Sequence, residues 1–374
     1  MWKNLRLHGL LILALLMFAA LRTAAADPER SSDPETMPVV PAIDAAMKSR
    51  LRAIYLDGAG RGNRAAVFAK IGDSISESMA FLQDFGCQTE DLGAYASLAS
   101  TVDYFRAVTF PAGFTAAWCG AANSYNRASA AAVAGWSADS ALQLQDPPPD
   151  GCPAPYHSAL RCELYLLKPG IALIMYGTND LQRYNDPASY RDHLNGIVTE
   201  TVAAGVIPVL STIPPRLDDA ALGARVAVHN QVVVEVAQAR QVPLWNYWRA
   251  LQDPQVIRQG IDADGVHPSA YFCAPYYCSG HFTAEGLKYG YNQRNLTAIQ
   301  VLDKIRRIVL EDGPPDGPAP ALYLPLLRRQ ADAARRNDPE ESENIYRKRS
   351  ADTPFTCPGE MWEHSGGCWH AGAF

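Results

Sequence analysis

The residues that could do chemistry are few and lie far apart along a chain of 374 residues. Ser74 closes the triplet Gly72-Asp73-Ser74 inside the apolar stretch 65–78. A serine hydroxyl is a poor nucleophile at neutral pH and needs a base within hydrogen-bond reach, itself oriented by a third group. Asp264 and His267 stand three positions apart in a Gly-containing turn, so one turn can carry both orienter and base. A carbonyl oxygen that becomes anionic during acyl transfer needs preorganised donors. The Asn179 side-chain amide and the backbone N–H groups of Gly135 and Ser74 could supply them. Taken singly, each residue has a plainer reading: Gly-Asp-Ser and Asp-Gly are ordinary turn chemistry, Asn179 a turn former, Gly135 a loop hinge. Together they are harder to dismiss, since they are the parts that serine-based acyl transfer would need.

These residues would have to be held by a sheet. The strand ending at Ser74 is followed by a continuous apolar run at 171–176, as expected of a strand covered on both faces. It stops at Gly177-Thr178-Asn179-Asp180. A helix pattern over 187–204, a strand over 206–211, a helix over 219–240 and a strand over 242–247 follow, the alternation of a parallel sheet with helices on both sides. In such sheets ligands bind beyond the carboxyl ends of the strands, where Ser74 and Asn179 fall. A first helix is expected over 43–55, then a Gly-rich loop that lacks the Gly-Lys-Ser/Thr ending of a phosphate loop. A turn leading into a helix from Ser137, a proline-rich loop at 147–155, and a last helix over 283–311 with Thr283 as N-cap complete the reading.

Gly72-Asp73-Ser74, Gly135 in Gly-Trp-Ser-Ala-Asp-Ser-Ala-Leu, Gly177-Thr178-Asn179-Asp180 and Asp264-Gly265-Val266-His267-Pro268 resemble the SGNH or GDSL hydrolases in order and in placement relative to strands. The resemblance spans roughly 67–310. It implies a flavodoxin-like three-layer α/β/α sandwich with a central parallel sheet. It also implies ester hydrolysis through an acyl-enzyme, without metal or cofactor. Under it Ser74 is the nucleophile, His267 the base and Asp264 its partner, while Gly135 and Asn179 join the Ser74 amide in the oxyanion hole. Two features depart from the family pattern. Asn126 is separated from Gly135 by an Ala-rich stretch, with Gly120 as a competitor, and thirteen residues intervene between Pro268 and Phe282. That insert ends in His281, a rival base that lacks the preceding acid, and its Tyr-Phe-Cys-Ala-Pro-Tyr-Tyr-Cys core suggests an aromatic flap.

Composition sets the remaining bounds. Hydrophobic residues make up 48% and charged residues 19%, which suits a globular chain. A formal net charge of -6 argues against sequence-independent nucleic-acid binding. Lys3 and Arg6, an apolar run over 7–21 and Ala24-Ala25-Ala26 read as a signal peptide over 1–26, too short to span a bilayer. A flexible leader over 27–41, a hydrolase domain over 42–312 and a Pro-rich linker with a charged, Cys-containing tail over 313–374 follow. Eight cysteines in an exported chain favour disulfides, taken as near neighbours: Cys87 with Cys119, Cys152 with Cys162, Cys273 with Cys278, Cys357 with Cys368. The expected protein is a secreted serine ester hydrolase acting on small or carbohydrate-linked esters, with no stable membrane anchor. A lipase for longer acyl chains and a non-catalytic binding module on a degenerate scaffold are the alternatives.

Overall fold

The computed structural model describes residues 32–316, apart from 112–116, 118, 184–185 and 275, together with the backbone of 361–364 and 367–370. The expected signal peptide, most of the tail and the proposed Cys357–Cys368 pair lie outside the described residues. Besides short helical turns, the main elements are α1 (Ala45–Gly60), β1 (Arg64–Gly72), α2 (Ser74–Glu77), α3 (Ala99–Arg106), α4 (Ala159–Leu167), β2 (Pro169–Met175), α5 (Pro187–Ala203), β3 (Ile207–Ser211), α6 (Ala220–Arg240), β4 (Leu244–Trp245) and α7 (Gly290–Ile305). The strands form one parallel sheet in the order β1-β2-β3-β4. A separate antiparallel pair joins Met361–His364 to Gly367–His370.

Alternation along the strands divides the core between two faces. Phe68, Leu173, Met175 and Val209 pack with Leu51, Ile54, Leu296 and Leu302 of α1 and α7. Ala69, Ile71, Ala172, Ile174 and Leu210 pack with Leu160, Leu194, Ile197 and Val233 of α4, α5 and α6. All seven residues of β2 are buried, which is why its sequence is apolar without alternation. The helices begin on side-chain caps: Ser158 for α4, Asp186 followed by Pro187 for α5, and Asp219 for α6. The result is the expected α/β/α sandwich around a parallel sheet.

A short stretch extends the sheet on the far side of β1. The Gly72 N–H donates to the Ala131 carbonyl at 2.9 Å and the Val133 N–H donates to the Gly72 carbonyl at 3.1 Å, with Ala132 bridging in parallel. Residues 131–133 precede β2 in the chain yet lie on the β1 edge opposite β2. The strand order therefore reverses at β1, and the carboxyl end of β1 is the place where open α/β sheets bind ligands.

Several expected boundaries are corrected. The Gly-rich segment after 55 is not a loop, because α1 runs to Gly60. Gly58 lets that helix lie against the backbone of Gly205, where a side chain would collide. No helix begins at Ser137. Its hydroxyl donates to Asp139 and the Ala138 N–H donates to Asp180, so side chains take the bonds a helix would need. The strand over 242–247 shortens to Leu244–Trp245. The last helix starts at Gly290, and Thr283 instead accepts from the Gly286 N–H ahead of a short 3₁₀ turn, Gly286–Lys288. Residues 32–41, expected as flexible leader, are docked: the Asn246 amide donates to the Pro34 carbonyl at 2.7 Å and its N–H donates to Val39. Among the described residues no helix is long and apolar enough to cross a membrane.

Candidate active site

Ser74 is the first residue of α2, directly after β1. Asp73 caps the helix through the Ile75 N–H at 3.0 Å. Gly72 is required for the approach, since a Cβ there would strike the Met175 carbonyl and the Ser76 side chain. The neighbouring serines are occupied elsewhere. Ser76 is buried and accepts from Arg294, and Ser78 accepts from the Ala80 N–H. Ser74 is half-buried, and its Oγ lies 2.9 Å from His267 Nε2.

The His267 turn is built from its own atoms. Asp264 Oδ1 accepts from the N–H groups of Val266 and His267 at 2.9 and 3.0 Å, and Oδ2 meets His267 Nδ1 at 2.5 Å. A carboxylate can only accept, so Nδ1 carries the proton and Nε2 of the neutral ring is left as acceptor toward Ser74. Gly265, at φ +77, makes the reversal possible. Burial works to raise the Asp264 pKa, but the bonds from the His267 ring and the two N–H groups outweigh it and hold it at about 2. The hydrogen bond to Asp264 in turn raises the His267 pKa above its ordinary value, against a smaller opposing effect of burial. His281, the rival base, is turned away, with Nε2 2.9 Å from the Thr89 carbonyl.

The Gly135 segment is tethered to both neighbours. Gly135 is exposed at φ +76, a conformation that favours glycine. The Ala134 N–H donates to Glu77 of α2 at 2.7 Å. On the other side Asn179 Nδ2 donates to the Trp136 carbonyl at 2.8 Å, spending one of its two amide hydrogens. Asn126, far from Gly135 in sequence, does not reach into this group. Its amide donates to the Cys119 and Ala121 carbonyls, beside the Cys87–Cys119 disulfide. Gly120 follows Cys119 in that same turn.

Three buried groups under the site had no role assigned from the sequence, although Asp73 and Asp180 stand inside the motifs quoted. Asp180 accepts the Ala138 N–H, and burial pushes its carboxyl up to about 7. Burial likewise lifts Asp73 to about 6, and its Oδ2 has no hydrogen-bond partner among the described residues. Arg294 donates to the Ile75 carbonyl and to Ser76 Oγ, with its guanidinium 3.8 Å from the Phe81 ring centroid. Only a helical arginine and an acid after Asn179 are visible in the sequence, and neither type is diagnostic.

Disulfides join Cys87–Cys119, Cys152–Cys162 and Cys273–Cys278, the near-neighbour pairs expected. The last bridge closes the insert after Pro268, where Phe272 and Tyr277 meet edge to face and Tyr276 is exposed. Cys273, Cys278 and His281 cluster closely, but the two sulfurs are bonded to each other and are not available as thiolate ligands.

The chain matches the GDSL-like lipase/acylhydrolase family over residues 71–271, more than half its length, and belongs to that family. It is thus an SGNH/GDSL-type hydrolase. A GDSL-like lipase from Bacteroides thetaiotaomicron is 12% identical, with 69% of this chain and 98% of that one covered at a TM-score of 0.38. A carbohydrate esterase family 3 protein from Talaromyces cellulolyticus is 18% identical over 63% and 97%, TM-score 0.39. The esterase EstA from Pseudoalteromonas sp. is 14% identical over 63% and 98%, TM-score 0.36. Comparison with curated proteins gave no match.

Proposed function

We propose that the protein is an exported serine ester hydrolase that works through an acyl-enzyme. The observation that carries the reading is the unbroken chain from Ser74 Oγ to His267 Nε2 at 2.9 Å and from His267 Nδ1 to Asp264 at 2.5 Å, at the sheet end where the strand order reverses. His267 takes the Ser74 proton as the oxygen attacks the ester carbonyl, then gives it to the leaving alcohol; water repeats the cycle. The Ser74 and Gly135 N–H groups and the second Asn179 amide hydrogen face the developing oxyanion. Membership of an acylhydrolase family and the three disulfides support the reading.

The substrates are small or carbohydrate-linked esters. Among the described residues the exposed rings are Phe272, Tyr276 and Tyr277, all in one short, disulfide-closed insert, which offers little of the apolar lid that a lipase needs at an oil surface. A panel of chromogenic esters of rising acyl length beside acetylated sugars checks this, with turnover concentrated on acetyl esters and lost in Ser74→Ala. Full turnover by Ser74→Ala, or a preference for long acyl chains, would sink it.

A further inference from the structure

We propose that Arg216, locked to Asp218, is a positioning residue that ties the Asn179 turn to the His267 loop. The inference rests on the reading of Ser74 and His267 given above. Arg216 lies in the loop between β3 and α6 and is only 5% exposed. Its guanidinium engages two separate elements. Nη1 donates to the Thr178 carbonyl at 2.9 Å, one residue before Asn179. Nε and Nη2 grip both Asp218 oxygens at 2.8 and 2.6 Å, the fork geometry that only arginine supplies.

The same loop holds the His267 turn through its backbone. The Leu217 N–H donates to the Gly265 carbonyl at 2.7 Å. Gly265 is pressed so closely on Asp218 that a Cβ would run into that residue's backbone nitrogen. The loop can act as a strut because little in it can move. Pro214 and Pro215 restrict its start, the Asn230 amide clasps the N–H and carbonyl of Ile213, and Asp219 caps α6 at its end. A displacement of the Thr178 carbonyl is therefore felt, through one guanidinium and one carboxylate, two residues from His267.

Arg216 is also part of the electrostatic surroundings of the base. The charged groups facing the His267 ring are Asp264 on its own loop, Asp73 from the turn after β1, and Arg216. Both acids favour the imidazolium and Arg216 opposes it. Removing the Arg216 charge should make His267 harder to deprotonate. Neutralising Asp218 should leave the guanidinium uncompensated and make it easier. A residue that served folding alone would not move the base in opposite directions.

The test titrates the His267 ring by NMR in Arg216→Gln, Arg216→Lys and Asp218→Asn, each made in the Ser74→Ala background, with His267→Gln identifying the signal. Steady-state pH profiles on a chromogenic acetyl ester run alongside, with Ser74 intact. Arg216→Gln is expected to raise the His267 pKa by ~0.5–1 unit, Asp218→Asn to lower it by a similar amount, and Arg216→Lys to leave it near its starting value. In turnover, Arg216→Gln should cost ~10–100-fold in kcat with KM within about threefold, and lysine should restore only part because it cannot fork. Shifts in the same direction for the Gln and Asn variants, or unchanged kcat in Arg216→Gln, would overturn the proposal. Should Arg216→Gln fail to fold, the Asp218→Asn titration decides alone, and an unmoved or raised pKa counts against it. Turnover surviving in Ser74→Ala would remove the functional reading instead, without touching the titration.

Discussion

Two segments bring groups to the end of the sheet, and they are secured in opposite ways. The turn carrying His267 is shaped mainly from within: Asp264 holds two N–H groups and the ring of its own turn, the Asp262 N–H closes the loop on the His267 carbonyl, and the Leu217 N–H ties Gly265 to the neighbouring loop. The segment carrying Gly135 has short-range bonds of its own, among them the Trp136 N–H to the Val133 carbonyl, but its place at the sheet is set by distant residues. Its start is fixed by Arg127, which is buried and forked onto Glu163 of α4 at 2.5 and 3.0 Å, with the Ala130 N–H sharing the same carboxylate. Its middle is laddered onto Gly72, and its end is held by Asn179 and Asp180. A local device can be altered with little cost to the fold, whereas a segment held from a distance takes the fold with it. Chemistry and stability should therefore separate on one side of the site and move together on the other.

The largest effect should be His267→Ala. General-base removal is expected to lower kcat/KM by ~10³–10⁴, with a melting temperature near that of the parent because the turn keeps Asp264 as its cap. A parallel collapse in stability would break the contrast. Next comes Glu163→Ala, which leaves Arg127 buried and uncompensated and should cost about 3–5 kcal/mol in denaturant unfolding. Activity should fall in the folded fraction too, because the 127–131 anchor of Gly135 is lost. Unfolding that moves by less than 1 kcal/mol would mean that the distant anchors are dispensable.

The same contrast explains what could be read from the sequence. The sheet was readable because β2 is apolar throughout and the helices beside it start on Asp or Ser caps. Asp264 and His267 were readable because both bonds between them lie within four residues. The helix expected from Ser137 was wrong for the reason that makes Gly135 hard to place: its conformation is decided by Asp180, forty-two residues away. Glu163, Arg216 and Arg294 act through contacts made only after folding, and no spacing in the chain announces them. Thr283 misled because a threonine before an amphipathic run is a good cap, yet here it caps only a 3₁₀ turn ahead of the helix.

Asp180→Asn should produce a smaller effect, visible chiefly as a change in pH dependence. The folded Asp180 carboxyl is raised to about 7, so the native state holds a proton that the unfolded chain has already lost. Stability from this residue is present at low pH and declines as pH rises from about 4 toward 7. Asparagine cannot ionise, and its oxygen can still accept the Ala138 N–H. The unfolding free energy of the variant should therefore decline less between pH 5 and pH 8, by on the order of 2 kcal/mol. Equal slopes for variant and parent would show that the carboxyl is relieved some other way.

The finest distinction concerns the acid limb of kcat/KM. His267 must be neutral to accept the Ser74 proton, and Asp264 raises its pKa, so activity should climb through a limb lying above the ordinary histidine value near 6.5. Asp264→Asn removes the charge but can keep a hydrogen bond, so the limb should move to lower pH by about one unit while kcat falls. Stability should respond with opposite signs at the two ends. The contribution of the raised His267 is present at acid pH and lost as pH rises through its folded pKa. That of the depressed Asp264 is present above about pH 4 and lost as pH falls toward 2. Both groups are about a third exposed, which keeps those changes small. An Asp264→Asn limb that stayed in place would mean that the turn orients His267 without tuning it, and would narrow the role of this locally built turn to geometry.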